Sequence, residues 1–378
     1  MRVVIATDSF KGSLTSYEAG VAILRGIKEA VPSAEGEVLE VADGGEGTFE
    51  VITKAREGDV ITVPVTGPLG ETVEARYGIV SGDVKTAVMD ISQACGLPLV
   101  PVSKRNPLYT TTEGIGEIII DALNRGCRKF IVGLGGSSTN DVGAGMLNKL
   151  GVKFTDASGC EITRGASGLS SLKLIDVSGL DERLKESEFL IACDVTNPLT
   201  GDNGCSMVFA PQKGADYDSC RLMDNWIAKF ADLTRDIYED SDPSFPGSGA
   251  AGGLGFAFRT FLNGSMVSGA SLVLEQIGLR DHLKDADIVI TGEGKFDAQT
   301  LMGKVPYEVI KLGKECGLKT MVFAGKADAD EASLSEFGID EVYSISEGIS
   351  KEESMSNAAS LLTNKAREVF TWKTSSRD

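Results

Sequence analysis

Short β-branched or apolar runs alternate with amphipathic stretches along almost the whole chain, and this alternation predicts strands and helices in turn. Residues 3–6 form an apolar run that predicts a strand. After the loop Asp8-Ser9-Phe10-Lys11-Gly12-Ser13, Thr15 or Ser16 stands where a helix cap is needed, and Ala19, Ala22, Ile23 and Ile27 make an apolar stripe at helical spacing. A second strand is predicted at 37–41, so the chain opens as a βαβ unit. From 60 to 91 the pattern becomes β-rich, interrupted by Thr66-Gly67-Pro68-Leu69-Gly70 and Ser81-Gly82-Asp83. Helices at 113–124 and 143–150, strands at 129–132 and 189–193, and a long amphipathic helix at 218–238 follow. The last third returns to the opening style, with strands at 288–290, 320–323 and 341–345 and helices at 304–316 and 357–370.

At 378 residues the chain exceeds what one core usually supports, and two α/β domains are expected. Both ends are βα units, and insertions fall at exposed loops. Residues 1–70 plus 285–378 therefore read as one doubly wound, Rossmann-like domain, with 71–284 inserted as a second, mixed α/β domain. A continuous cut near residue 150 is the alternative.

Composition narrows the partners. Gly accounts for 45 of the residues, well above the usual share of about 7%, without the low hydrophobicity of a disordered chain. The net charge of −18, with no basic run, argues against nucleic acid or an anionic membrane as partner. An anionic ligand would have to be held by local cations, and Lys11, Lys213, Lys295, Lys304 and Lys326 all stand in glycine-rich segments. The seven cysteines form no CxxC pair, and the single histidine, His282, makes no metal cluster with them. The chain begins directly on a strand and contains no run of 18 apolar residues, so a cytoplasmic protein with reduced thiols is expected.

Five glycine-and-acid segments stand out: Asp43-Gly44-Gly45-Glu46-Gly47-Thr48, residues 133–141, Ala192-Cys193-Asp194-Val195-Thr196-Asn197-Pro198, residues 247–255, and Thr291-Gly292-Glu293-Gly294-Lys295-Phe296-Asp297. Glycine lets backbone N–H groups approach a ligand, and the interleaved acids, hydroxyls and lysines supply metal ligands and cations, which is the chemistry of phosphate handling. At least three of the segments follow β-branched runs, at the strand ends where open α/β sheets bind ligands. They are read as loops converging on one interdomain cleft. No Walker A pattern occurs. The literal dinucleotide pattern Gly247-Ser248-Gly249-Ala250-Ala251-Gly252 follows prolines instead of a strand, which removes its meaning. The better phosphate candidate is 133–141, where Gly135, Gly136, Ser137, Ser138, Thr139, Asn140 and Asp141 follow a strand and open a helix. An ordinary βα turn with an Asn or Asp cap is the alternative.

Taken in order, Ala6-Thr7-Asp8-Ser9-Phe10-Lys11-Gly12-Ser13-Leu14, Ala42-Asp43-Gly44-Gly45-Glu46-Gly47-Thr48, Leu134-Gly135-Gly136-Ser137-Ser138-Thr139-Asn140-Asp141, Phe209-Ala210-Pro211-Gln212-Lys213-Gly214-Ala215, Gly249-Ala250-Ala251-Gly252-Gly253-Leu254-Gly255 and Gly292-Glu293-Gly294 through Gln299-Thr300 resemble the bacterial type 1 glycerate kinases. The resemblance runs over essentially the whole length. It implies two α/β domains, one flavodoxin-like, and ATP-dependent phosphorylation of D-glycerate with Mg2+, often giving 2-phosphoglycerate.

That chemistry needs a base for the attacking hydroxyl, carboxylates for the metal and cations for the moving phosphoryl group. Asp194, Asp297, Asp8 and Asp43 are candidate bases, with Asp194 preferred because a strand delivers it beside Asn197 in a loop stiffened by Pro198. An Asx turn is the alternative for Asp194. Lys11 and Lys295 are assigned to the substrate carboxylate or the transferring phosphoryl group. Asp8, Ser9, Asn197 and Asp297 are assigned to substrate, Glu293 to the nucleotide with 135–141, and Asp43 and Glu46 to Mg2+. A non-catalytic two-lobed sensor of a sugar acid or nucleotide is the competing reading, and both a monomer and a homodimer are compatible with the sequence.

Overall fold

Thr15 opens the first helix, Ser16–Ala30, through a reciprocal capping box. Its hydroxyl accepts the Glu18 N–H (3.2 Å), and the Glu18 carboxylate accepts the Thr15 N–H (2.9 Å). Ala19, Ala22, Ile23 and Ile27 are all buried along that helix. The computed structural model describes residues 1–297, 300, 303–328, 334 and 337–375. Its strands are β1 Arg2–Ile5, β2 Glu35–Val38, β3 Asp59–Thr66, β4 Thr72–Val80, β5 Thr86–Asp90, β6 Lys129–Gly133, β7 Lys153–Thr155, β8 Leu174–Asp176, β9 Glu188–Ala192, β10 Ser265–Val267, β11 Ile288–Phe296, β12 Lys319–Ala327 and β13 Glu341–Ser344. The chain divides into two compact units, Met1–Asp43 with Ala270–Asp378, and Gly44–Gly269.

The first unit is built on a five-stranded sheet in the order β13-β12-β11-β1-β2, every pair parallel. In chain order within the unit this is the flavodoxin arrangement, with the direction of winding reversing between β1 and β11. Val3, Ile5, Ile290 and Phe323 of the sheet pack with Ile23, Ile27, Leu362 and Phe370 of the helices. The helices Ser16–Ala30 and Ala358–Ser375 meet closely: a Cβ on Gly26 would lie 2.1 Å from the Thr363 carbonyl oxygen, and the Thr363 hydroxyl donates to the Ala22 carbonyl (2.9 Å).

The second unit carries a mixed six-stranded sheet, β10-β9-β6-β5-β4-β3, in which β10, β9, β6 and β5 are parallel and the β5-β4-β3 end is antiparallel. Its core includes Phe130 stacked on Phe189 at 4.5 Å, with Phe230, Phe256 and Phe258 nearby. A small antiparallel pair, β7 and β8, lies apart from the main sheet.

Three expectations need adjustment. The division falls after Asp43 and Gly269, where the sequence reading put it at 70 and 284. The reason is that β3 pairs with β4 over eight residues, from Asp59 opposite Ile79 to Thr66 opposite Thr72, so the change of pattern near residue 70 is a hairpin within the second unit. The segment Thr291–Asp297, read as a loop, is largely strand: β11 continues to Phe296, and Lys295 pairs with Lys326 of β12. Strand β2 ends at Val38 and begins at Glu35, earlier than the predicted 37–41. Among the described residues no helix is long and apolar enough to cross a membrane.

Candidate functional site

In the first unit the carboxyl ends of β1, β11 and β12 concentrate charge at the point where the winding reverses. Asp8 follows β1; its N–H bonds the Gly292 carbonyl (2.8 Å) and its carboxylate accepts the Ser9 N–H (2.6 Å). Burial and the neighbouring Asp43 push the Asp8 carboxyl up to about 6. Glu293, on β11, is pushed up to about 7, first by burial and further by Asp8 and Asp297. Its Oε1 is buried and has no hydrogen-bond partner among the described residues.

Cations surround these acids. Lys11 lies 3.6 Å from Asp43, Lys295 2.7 Å from Asp297 and 3.8 Å from Asp328, Lys326 2.8 Å from Asp328, and Lys304 4.0 Å from Glu293. Lys11 is 81% exposed and Lys295 59%. Exposed pairs of this kind contribute little to stability, so the charge stays available to a polyanionic ligand. Seven of the sequence-assigned residues, Asp8, Ser9, Lys11, Asp43, Glu293, Lys295 and Asp297, thus belong to one edge of this unit. Lys304 and Lys326 were visible as lysines in glycine-rich segments but had no role, and Asp328 carried no signal beyond standing just past a predicted strand. Gln299 of the sequence motif lies outside the described residues.

In the second unit, Asp90, Gly133 and Ala192 stand in register at the carboxyl ends of β5, β6 and β9. Asp90 was not singled out by sequence. Its carboxylate accepts the N–H groups of Gly47 (2.8 Å) and Phe49 (3.2 Å), which starts the helix Thr48–Ala55 and pins the turn 44–47. Burial, with Glu50 nearby, raises its carboxyl well above the ordinary range. Glu46 sits exposed on that turn. The turn packs on the 133–136 backbone: a Cβ on Gly135 would meet the Gly45 Cα at 2.7 Å.

The segment 134–143 splits into two parts. Gly135 is half-buried and Gly136 exposed. Residues 138–141 are buried and bonded within the unit. Ser138 Oγ donates to the Cys95 carbonyl (2.8 Å), Thr110 Oγ1 to the Ser138 carbonyl (2.9 Å) and Asn140 Nδ2 to Ser206 Oγ (2.8 Å). The Asp141 carboxylate accepts from the Thr112 N–H (3.0 Å), the Thr112 hydroxyl (2.9 Å) and the N–H groups of Gly143 and Gly145 (both 3.3 Å). The following helix, Ala144–Lys149, is short, and its first amides are already bonded: Ala144 to the Asp141 carbonyl (2.9 Å), Gly145 to the Asp141 carboxylate and Met146 to the Thr112 hydroxyl (3.0 Å). The helix end therefore faces its own carboxylate. Asp141→Ala should lower the unfolding free energy by about 2 kcal/mol, because it strands buried donors; denaturant unfolding checks this, and an unchanged midpoint would show that Asp141 is not structural.

Asp194 and Asn197 follow β9. Asp194 is exposed, and its Oδ1 accepts the Gly269 N–H (2.9 Å). Asn197 Nδ2 donates to the Asn203 carbonyl (2.8 Å), while its own carbonyl accepts the Gly249 N–H (3.0 Å). The glycines of 247–255 serve close packing inside the unit. Ala251, Gly252 and Gly253 take positive φ (52°, 72° and 94°), and a Cβ on Gly252 would lie 2.1 Å from the Thr139 carbonyl oxygen.

A flavodoxin-ordered unit with acids and lysines at its switch point, together with a mixed α/β unit bearing glycine turns on its parallel strand ends, defines a two-unit α/β protein equipped for small anionic ligands. The glycerate kinase family model matches residues 3–374. The chain is 45% identical over 370 residues to the glycerate kinase of Bacillus subtilis strain 168, covering 98% of this chain and 97% of that one. It is 45% identical over 345 residues to the glycerate 2-kinase of Escherichia coli K12, covering 91% and 90%. A crystal structure from Salmonella typhimurium LT2 assigned to glycerate kinase 2 superposes with a TM-score of 0.86 at 41% identity, covering 100% of this chain and 99% of that one. The chain belongs to the glycerate kinase family.

Proposed function

We propose that this chain, as a type 1 member of its family, transfers the γ-phosphoryl group of ATP to D-glycerate and releases ADP and 2-phosphoglycerate. The observation that carries this reading is the edge of the first unit, where two desolvated carboxyls, Asp8 and Glu293, stand among Lys11, Lys295 and Lys304 in a chain whose relatives are named glycerate kinases. The reaction breaks the bond between the γ-phosphorus and the bridging oxygen of ADP, forms one to the substrate hydroxyl oxygen, and releases that hydroxyl's proton.

Of the four aspartates that could take this proton, Asp8 is favoured. It is buried and fixed at the tip of β1, whereas Asp194 is exposed with one oxygen bonded to a backbone N–H. Lys11 and Lys295 offset the charge of the moving phosphoryl group, and Ser9 and Asp297 orient the acceptor. Magnesium is commonly held by one or two carboxylates plus waters and substrate phosphates. The buried Glu293 Oε1, without a hydrogen-bond partner among the described residues, is an oxygen of the required kind. Asp43 and Glu293 would hold the ion, which when bound would neutralise phosphate oxygens. The seven cysteines are free thiols, which supports a reducing cytoplasm as its compartment.

Coupled ADP release tests the reading. Turnover is expected with D-glycerate and Mg2+, much less with L-glycerate, and none once a chelator removes the metal. Nucleotide binding without turnover on any hydroxy acid would favour the two-lobed sensor instead.

A further inference from the structure

We propose that Lys213, buried beneath the turn Gly135-Gly136-Ser137, is a positioning residue that completes an oxyanion site in the second unit, and that this site takes a phosphate group of the nucleotide. The inference rests on the kinase reading for the identity of its ligand, but its geometry is independent of the first unit.

Lys213 is 2% exposed. Its Nζ donates to Ser137 Oγ (2.8 Å) and to the Thr139 carbonyl (2.7 Å), both neutral acceptors. Among the described residues no carboxylate lies within ion-pair distance of it. Asp141 is near enough to be felt, but its oxygens are engaged by Thr112, Gly143 and Gly145. A buried ammonium group with neutral partners alone is costly, and burial pushes Lys213 down to about 8. The fold nonetheless holds it in place. The turn Pro211–Lys213 ends on a left-handed Gly214 (φ 97°), where a Cβ would lie 2.2 Å from the Arg105 carbonyl oxygen.

The turn that Lys213 supports through Ser137 carries donors without acceptors among the described residues. The N–H groups of Leu134 and Ser138, on either side of the turn, are bonded to the carbonyls of Ala192 (3.2 Å) and Cys95 (2.8 Å). Those of Gly135, Gly136 and Ser137 have no acceptor among the described residues. Gly136 is left-handed (φ 68°), the conformation that lets successive N–H groups form an anion-binding concavity. Ser137 Oγ accepts from Lys213, which leaves its own proton to be donated onward. Ser92, 8% exposed, has an Oγ with no partner among the described residues, and its Cβ lies 3.7 Å from the place a Cβ on Gly136 would occupy. Gly136 itself is exposed and opens the turn to solvent. Three amides, two hydroxyls and a buried cation acting through one of them outnumber the two oxygens of a carboxylate and suit the oxygens and charge of a phosphate.

The test is calorimetric titration of ADP and, separately, of D-glycerate into the wild-type chain, Lys213→Met and Ser137→Ala, with thermal unfolding of each. Lys213→Met is expected to weaken ADP at least about tenfold and Ser137→Ala several-fold, both with D-glycerate affinity unchanged. Wild-type ADP affinity should also fall as pH rises from 7 to 9 and Lys213 loses its proton, and this part of the fall, over and above any change shared by both chains, should be absent in Lys213→Met. The other titratable groups facing Lys213 are Asp141 and the thiols of Cys95 and Cys205, pushed up to about 12 and 11, and the thiols do not change charge there. ADP affinity unchanged in both variants would overturn the proposal. A loss confined to D-glycerate would overturn it in favour of a carboxylate. If Lys213→Met does not fold, Ser137→Ala and the wild-type pH course decide. A wild-type chain that fails to phosphorylate glycerate would defeat the kinase reading while leaving this comparison of ADP affinities intact.

Discussion

An Asp8→Asn chain is expected to lose about 10²- to 10⁴-fold in kcat while binding ADP close to the wild-type level. Asparagine keeps the size of the side chain and an oxygen to accept the Ser9 N–H, and the backbone bond to Gly292 does not depend on the side chain. What it loses is the ability to take a proton. It also removes a buried negative charge that stands against Asp43, so the melting temperature should stay level or rise. A fall in turnover with no loss of stability is the signature of a residue retained for chemistry at a cost to the fold. Steady-state kinetics, ADP calorimetry and thermal unfolding on the same preparation check this. A kcat within threefold of wild type would remove Asp8 from the reaction and return the role to Asp194 or Asp297.

Gly292→Ala is expected to destabilise the first unit by about 3 kcal/mol, through overpacking of a strand pair that cannot separate. Gly292 pairs with Phe323 in parallel register, and a Cβ there would fall 2.0 Å from the Phe323 carbonyl oxygen. The clash is with backbone, so no side-chain rotation relieves it. Because Gly292 also accepts the Asp8 N–H and precedes Glu293, the displacement would move two proposed site residues, and activity should fall with stability. Gly82→Ala is the contrasting change: its nearest neighbour would be Arg56 Nη2 at 3.6 Å, and an effect below about 0.5 kcal/mol is expected. Denaturant unfolding of both variants measures the difference. Equal midpoints would mean that the β11–β12 pairing tolerates a side chain at this position.

How much was legible follows from the range of the interactions involved. The helix at Glu113–Asn124 has the predicted bounds, and the first helix has its predicted cap, because periodicity and capping act within a few residues. The second half of β11 was hidden. A strand that alternates Gly, Glu and Lys beside a site has the composition of a turn, and it is held extended chiefly by its pairing with β12, some thirty residues on, with a further bond from the Asp8 N–H to Gly292. The hairpin partner of β3 is likewise set by register, which a change of composition at residue 70 cannot reveal. Within the glycine-rich segment 133–141, the residue types alone could not separate the exposed Gly136 from the buried Asp141, since the same chemistry that binds a ligand also caps a helix. Lys213 was visible as a lysine in a conspicuous motif. Its burial depends on distant segments, notably 105, 137 and 139, that only the folded chain brings against it.

The most direct test of the account is phosphorus NMR of the wild-type chain incubated with ATP, Mg2+ and D-glycerate. One new phosphomonoester signal, that of 2-phosphoglycerate, is expected to grow in step with ADP. No phosphorylated glycerate under conditions where the nucleotide is bound, or a product phosphorylated at the primary hydroxyl, would contradict it.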